Sequence, residues 1–279
     1  MSTYQSVIYA LLHGFCEILP VGGTMVRSFV SQVFDWPEPQ GALLGVLYLA
    51  TALACFGHFR DDWASMTSSL IRVVLYRRRP MTVDERMPFI VTLATLPGLV
   101  AFQYLQIPVQ AAFAAFSPLL LWGIYVGLSF PLLLVEYMGR KSKRSVDWNI
   151  LDSVMVGISY LLWFVPGSGR TETILLGSLF RNYNREAALK FGFYCAFPVL
   201  LTVSFPLLGT LDFSNRAQAQ EGVSWMSLAV AFFASFFSAW LAVGGLVKRA
   251  RKAGFGIYWI TRILFGIGAA GFLWFRANR

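Results

Sequence analysis

Charged side chains are what this sequence is shortest of: Asp, Glu, Lys and Arg make up 13% of its 279 residues, against 57% hydrophobic residues and a mean hydropathy of +0.60. A soluble domain carries about 25% charged residues. Roughly half the charge that a water-facing surface needs is therefore missing, and much of the surface is expected to face lipid. Cysteine is scarce as well. Cys16, Cys55 and Cys195 lie inside apolar runs at no metal-ligand spacing, which excludes a cysteine metal site and leaves three buried small hydrophobes. The opening residues, 1–23, lack a basic stretch and a small-residue cleavage site, so they are not expected to be a removable signal peptide.

The charge that remains is one-sided, with a formal net charge of +9. In a soluble protein this would suit nucleic acid, but no nucleic-acid partner is expected here. Seventeen of the 23 Lys and Arg residues lie in four short connections, 60–87, 137–149, 181–190 and 248–252. That distribution orients a membrane protein with its basic loops in the cytoplasm. Connections 35–40 and 210–223 carry Asp35, Glu38, Asp212 and Glu221 against Arg216 alone and are expected outside, as is the N-terminus. Arg276 and Arg279 would then also lie outside, against the trend.

Crossing the hydrocarbon takes about 20 mostly apolar residues in a helix. Six runs reach or approach that length: 41–59, 88–106, 117–136, 187–209, 224–247 and 255–275. Two further apolar stretches are broken in the middle, 5–34 at Leu19-Pro20-Val21-Gly22-Gly23-Thr24 and 150–180 at Val165-Pro166-Gly167-Ser168-Gly169-Arg170. The flanks of each break are too short to cross. Irregular backbone at membrane depth is tolerated only where protein buries it or a wet cavity lines it, so both stretches are predicted to be re-entrant hairpins. A shift of 146 residues superposes Pro20 on Pro166, Gly23 on Gly169, Phe34 on Phe180, Ala42 on Ala188, Leu43 on Leu189, Tyr48 on Tyr194 and Ala50 on Ala196. Each half, about 1–140 and 147–279, then holds one hairpin and three spans. Three crossings are odd, so the second half enters the membrane upside down. The expected fold is a single all-α integral membrane domain of residues 1–279, an inverted repeat with six transmembrane helices and two re-entrant helical hairpins.

Polar and ionisable residues gather at the two breaks: His13, Glu17, Thr24 and Arg27 around the first, Ser168, Arg170, Thr171, Glu172 and Thr173 around the second. Each charge inside a span costs about 2.5–3.5 kcal/mol on the insertion scale, so their concentration points to function. His13 and Glu17 share a helix face at i and i+4. Helices restarting at Gly23 and Gly169 would aim N–H groups and positive dipole ends inward. Arg170 beside them makes an anion site, and its planar fork suits phosphate oxygens. Glu17 there suggests either a bound divalent cation, magnesium or calcium, or a general base. Structural roles stand beside these: an ion pair of Arg170 with Glu17 or Glu172, helix capping by Thr24 or Ser168, and snorkelling by Arg27. Arg262 in the last span pairs with a carboxylate or lines the cavity.

The chain resembles the undecaprenyl-pyrophosphate phosphatase family, the bacitracin-resistance membrane phosphatases. The family motifs E-G-x-x-E-F-L-P-V-S-S-T-G-H and P-G-x-S-R-S-G-x-T are met here by residues 13–26, HGFCEILPVGGTMV, and by residues 166–173, PGSGRTET. Residues 184–198, Leu96-Pro97-Gly98 and Ile260-Thr261-Arg262 resemble further family segments. The resemblance implies hydrolysis of a C55 polyprenyl diphosphate to the monophosphate in the bacterial plasma membrane, which recycles the lipid carrier of peptidoglycan synthesis. It matches Glu17 to a motif glutamate, Thr24 to the motif threonine and Arg170 to the phosphate-binding arginine. His13 replaces the other glutamate, Gly22 and Gly23 replace both serines, Val26 replaces the motif histidine, Gly169 replaces a serine and Glu172 replaces a glycine. Three readings follow. The first is a phosphatase with a rewired site, in which His13 is base or nucleophile, Thr24 or Ser168 is nucleophile, Glu17 or Glu172 handles metal or proton, and Gly23, Gly169, Thr171, Glu172 and Arg262 join Arg170 around the phosphate. The second is a non-catalytic protein that binds or flips a polyprenyl phosphate, and the third is other chemistry on an isoprenoid phosphate. A homodimer is compatible with all three.

Overall fold

A computed structural model describes residues 1–77, 79–210 and 224–278. The chain runs through α1 (Thr3–Ile18), α2 (Gly23–Phe34), α3 (Gly41–His58), α4 (Arg60–Leu75), α5 (Val83–Ala114), α6 (Pro118–Gly127), α7 (Ser129–Tyr137), α8 (Ile150–Tyr160), α9 (Arg170–Phe180), α10 (Arg185–Leu208), α11 (Trp225–Lys252) and α12 (Gly256–Ala277). Among the described residues, six stretches are long and apolar enough to cross a membrane: α3, α5, α6 with α7, α10, α11 and α12. They coincide with the six runs read from the sequence. The protein is an all-α, multi-pass membrane protein.

Local chemistry sets most of the boundaries. Ser2 caps α1 in a reciprocal box with Gln5, and Thr82 does the same for α5 with Glu85, which satisfies N–H groups that a helix start leaves free. The third apolar run is one span but two helices. Pro131 has no N–H to offer the carbonyl of Gly127, where α6 ends. Segment 60–87, expected as a basic connection, contains a helix of its own. In α4, Met66, Ser69 and Val73 are buried at helical spacing, with Asp61 and Asp62 in the first turn and Arg72 in the last, each at the favourable end of the dipole.

The two broken stretches fold as helix–turn–helix units, α1 with α2 and α8 with α9, and each pair packs together. Their arms have 16, 12, 11 and 11 residues, all short of the ~20 needed to cross. The first arm of each unit lies against a long helix of the other half of the chain, α1 along α11 and α8 along α5, while α3 packs on α10 at the centre. These contacts are close. A Cβ at Gly14 of α1 would stand 2.4 Å from the Ser235 carbonyl oxygen, and one at Gly157 of α8 would stand 3.0 Å from that of Ala94. A larger side chain at either position would push the hairpin off its partner.

Ion pairs draw the basic connections to one end of the bundle. Lys143 and Arg181 both hold Asp152, at 2.8 and 2.5 Å, Arg185 holds Glu136 at 2.7 Å, Lys190 holds Asp62 at 2.9 Å and Arg251 holds Glu186 at 2.8 Å. Trp148 stacks between Tyr183 and Phe191, with ring centroids 3.7 and 3.8 Å away. The Tyr183 hydroxyl donates to Asp152 at 2.6 Å, and burial together with that bond pushes its pKa up, so it stays protonated as a donor. At the far end of α12, Arg276 pairs with Asp35 at 2.7 Å, beside the C-terminus of α2. The charge that ran against the trend thus has its counter-ion. Arg78, Arg279 and the acidic connection 211–223, with Asp212, Arg216 and Glu221, lie outside the described residues.

Candidate functional site

The tips of the two helix–turn–helix units meet in the interior. Gly22 has φ 68° and Gly167 has φ 87°, both in the left-handed region open to glycine. A Cβ at Gly22 would sit 2.5 Å from the Gly167 carbonyl oxygen and 2.6 Å from the Tyr125 ring, and one at Gly23 would sit 2.8 Å from the Cys16 carbonyl oxygen. These two positions, where the family motif has serines, are closed to side chains in this backbone. Thr171 ties the tips further by donating from Oγ1 to the Glu17 carbonyl at 3.2 Å.

Arg170, the first residue of α9, is 2% exposed. Its Nη1 pairs with Glu17 Oε1 from the last turn of α1. The rings of Trp163 and Tyr48 lie 4.1 and 4.6 Å from its Cζ, close enough for cation–π attraction. Its Nε and Nη2, the remaining edge of the guanidinium, are buried with no hydrogen-bond partner among the described residues. Two adjacent donors on one planar edge match two oxygens of a phosphate. Leaving such donors unpaired costs about 1–3 kcal/mol each, a cost that a bound anion would remove.

His13 is fully buried and shares the α1 face with Glu17. Arg27 Nη1 donates to its Nδ1 at 3.0 Å, and its ring meets Tyr48 edge-on at 4.9 Å. With Nδ1 accepting, a neutral imidazole carries its proton on Nε2, a tautomer assigned from the hydrogen-bond network. Nε2 is buried and has no partner among the described residues. Arg27 is 6% exposed, so it does not snorkel as its place one turn past the break suggested.

Arg262 and Glu172 form the second buried ion pair. Arg262 also donates from Nη2 to the carbonyls of Gly167 at 2.7 Å and Tyr125 at 3.2 Å, and from Nε to Tyr125 at 3.3 Å. Glu172 Oε2 accepts from the Gly169 N–H at 3.0 Å. Tyr125 completes the link through its hydroxyl, which donates to the Val21 carbonyl at 2.6 Å. Every nitrogen of Arg262 is therefore spent on protein, and the residue braces both tips. Ser168 is buried at the second tip, whereas Thr24 is exposed at the first. Neither caps a helix, since Gly22 and Gly169 hold the N-cap positions. No hydrogen bond joins the Ser168 or Thr24 hydroxyl to a carboxylate or imidazole among the described residues.

The structure thus gathers His13, Glu17, Gly23, Ser168, Gly169, Arg170, Thr171, Glu172 and Arg262 at one junction and leaves Thr24 on its outer side. It adds Tyr48, Tyr125 and Trp163, which sequence reasoning did not assign to the site, and turns inward Arg27, for which snorkelling was the structural role. Tyr48 recurs in the repeat as Tyr194, but only the folded chain sets it between His13 and Arg170.

The family model described as bacitracin resistance protein BacA matches residues 6–268. An undecaprenyl-diphosphatase of Myxococcus xanthus is 26% identical over 268 residues, covering 96% of this chain and 88% of the relative. Those of Chlorobaculum tepidum and Alcanivorax borkumensis are 24% and 23% identical, each aligned over 96% of this chain, and over 96% and 97% of their own lengths. With the match running through both hairpins and all six long apolar stretches, this chain belongs to the bacitracin resistance protein BacA family.

Proposed function

We propose that this protein is a membrane phosphatase that hydrolyses a polyprenyl diphosphate, undecaprenyl diphosphate by likeness to its relatives, to the monophosphate and inorganic phosphate. The observation that carries the reading is the unpartnered Nε–Nη2 edge of Arg170, buried where two hairpin tips meet. The terminal phosphate docks on that edge while Nη1 keeps Glu17 beside it. Water attacks the terminal phosphorus, its proton passes to the Glu17 carboxylate, and the bond from phosphorus to the bridging oxygen breaks. The polyprenyl monophosphate leaves with that oxygen. His13 Nε2–H and the N-termini of α2 and α9 donate to the charged oxygens, which is stabilisation aimed where charge develops. Water is assigned as nucleophile because Gly22 and Gly23 admit no side chain and because the Ser168 hydroxyl donates to no carboxylate or imidazole among the described residues.

The same reading places 1–279 in the plasma membrane as one domain of two inverted halves. The reciprocal packing of α1 on α11 and α8 on α5 supports that symmetry, and the short arms support re-entrant hairpins. The convergence of basic connections supports a cytoplasmic face there. The test is release of phosphate from undecaprenyl diphosphate by the purified protein in detergent. Release that vanishes in Arg170→Ala is expected. A parent protein that binds the lipid yet releases nothing would leave a binder or flippase instead.

A further inference from the structure

The cation expected at Glu17 does not fit what surrounds that carboxylate. A divalent cation takes several oxygen ligands, carboxylates foremost, yet no three His, Cys, Asp or Glu side chains stand together among the described residues. Glu17 already holds Arg170, and Glu172 holds Arg262. Where the family motif sets a second carboxylate one turn before Glu17, this chain has His13, and the near nitrogen of that imidazole accepts from Arg27. A site arranged to hold a cation would not turn a guanidinium into it.

Arg27 is itself unusual. It is buried, it donates to a neutral imidazole, and among the described residues no ion pair includes it. A buried guanidinium without a counter-anion is costly, so an anion is the partner this position lacks. His13 and Glu17 are four residues apart on α1, so Arg27 and Arg170 grip one helix face at points about 6 Å apart along its axis. With one carboxylate against two guanidiniums at this tip, a positive charge is left for the ligand.

We propose, resting on the functional reading above, that Arg27 takes the place of a divalent cation. Together with Arg170 it neutralises the diphosphate, and the site binds its substrate without metal. His13, whose Nε2 faces the phosphate in that reading, also holds Arg27 inward through Nδ1.

The probe is undecaprenyl diphosphate with a methylene bridge in place of the scissile oxygen, titrated into the full-length protein in nanodiscs with EDTA or with magnesium. The parent is expected to bind equally well in both. Arg27→Gln is expected to weaken binding at least about tenfold, and Arg27→Lys, which keeps the charge, less so. His13→Glu combined with Arg27→Gln restores two carboxylates to one face, and its binding should now require magnesium. A parent that loses about tenfold or more in EDTA overturns the proposal, and so does Arg27→Gln binding like the parent. If Arg27→Gln fails to fold, the comparison of the parent in EDTA and magnesium decides alone. Absence of binding in both conditions ends this proposal and the functional reading together. Tight binding in EDTA without hydrolysis of the natural diphosphate ends the functional reading only.

Discussion

In the proposed mechanism Arg170 binds the phosphate and Glu17 takes the proton, and their substitutions should separate the two. A lysine ammonium cannot offer the paired donors of the Nε–Nη2 edge, and hydrogen bonds to charged groups contribute about 1.5–3 kcal/mol. Arg170→Lys is therefore expected to weaken polyprenyl phosphate binding at least about tenfold, measured on purified protein beside the parent. Unchanged affinity would reduce Arg170 to a structural ion-pair partner. Glu17→Gln keeps the size of the side chain and removes its basicity, so turnover should fall by about 10²–10⁴ while binding of the methylene analogue persists. Ser168→Ala addresses the nucleophile. With water attacking, it should keep turnover near that of the parent. A loss comparable to that of Glu17→Gln would move the attack to the Ser168 hydroxyl.

Between elements, the brace formed by Arg262, Glu172 and Tyr125 holds the two hairpin tips against each other. Its energetics differ from those of Arg170, because all its donors are satisfied by protein. Removing one partner of a buried ion pair costs about 3–5 kcal/mol, since the other charge is left uncompensated. Arg262→Met should accordingly lower the thermal unfolding midpoint in detergent markedly. The double variant Arg262→Met with Glu172→Gln should recover part of that loss, because the orphaned carboxylate is gone. If the single variant is as stable as the parent yet cannot bind lipid, Arg262 contacts substrate directly and the brace is the wrong description.

At the scale of the whole molecule, the converging basic connections make a claim about sidedness. Single cysteines placed in 60–87, 137–149 and 248–254 should all resist a membrane-impermeant thiol reagent added from outside, and one at the N-terminus should react. Background is low, because Cys55 and Cys195 are buried and Cys16 is partly so. Labelling of any one of the three connections from outside would undo the arrangement.

Sequence alone determined the six long apolar stretches, the two breaks and the polar residues gathered at them. Each of these is written in local composition: apolar run length against membrane thickness, Pro and Gly against helix continuity, and charge against the cost of burial in lipid. Helix α4 escaped notice because its charges outweigh its apolar face in any short window, though Met66, Ser69 and Val73 carry the period. Pairing at the junction was beyond any such reading. That Arg170 takes Glu17 rather than Glu172, that Arg262 is consumed by Glu172 and two carbonyls, and that Arg27 turns inward to His13 are matters of residues 14 to 153 positions apart along the chain. Which guanidinium meets which carboxylate follows from how α1, α9 and α12 pack around Tyr125 and Tyr48, and only the tertiary structure brings those helices together.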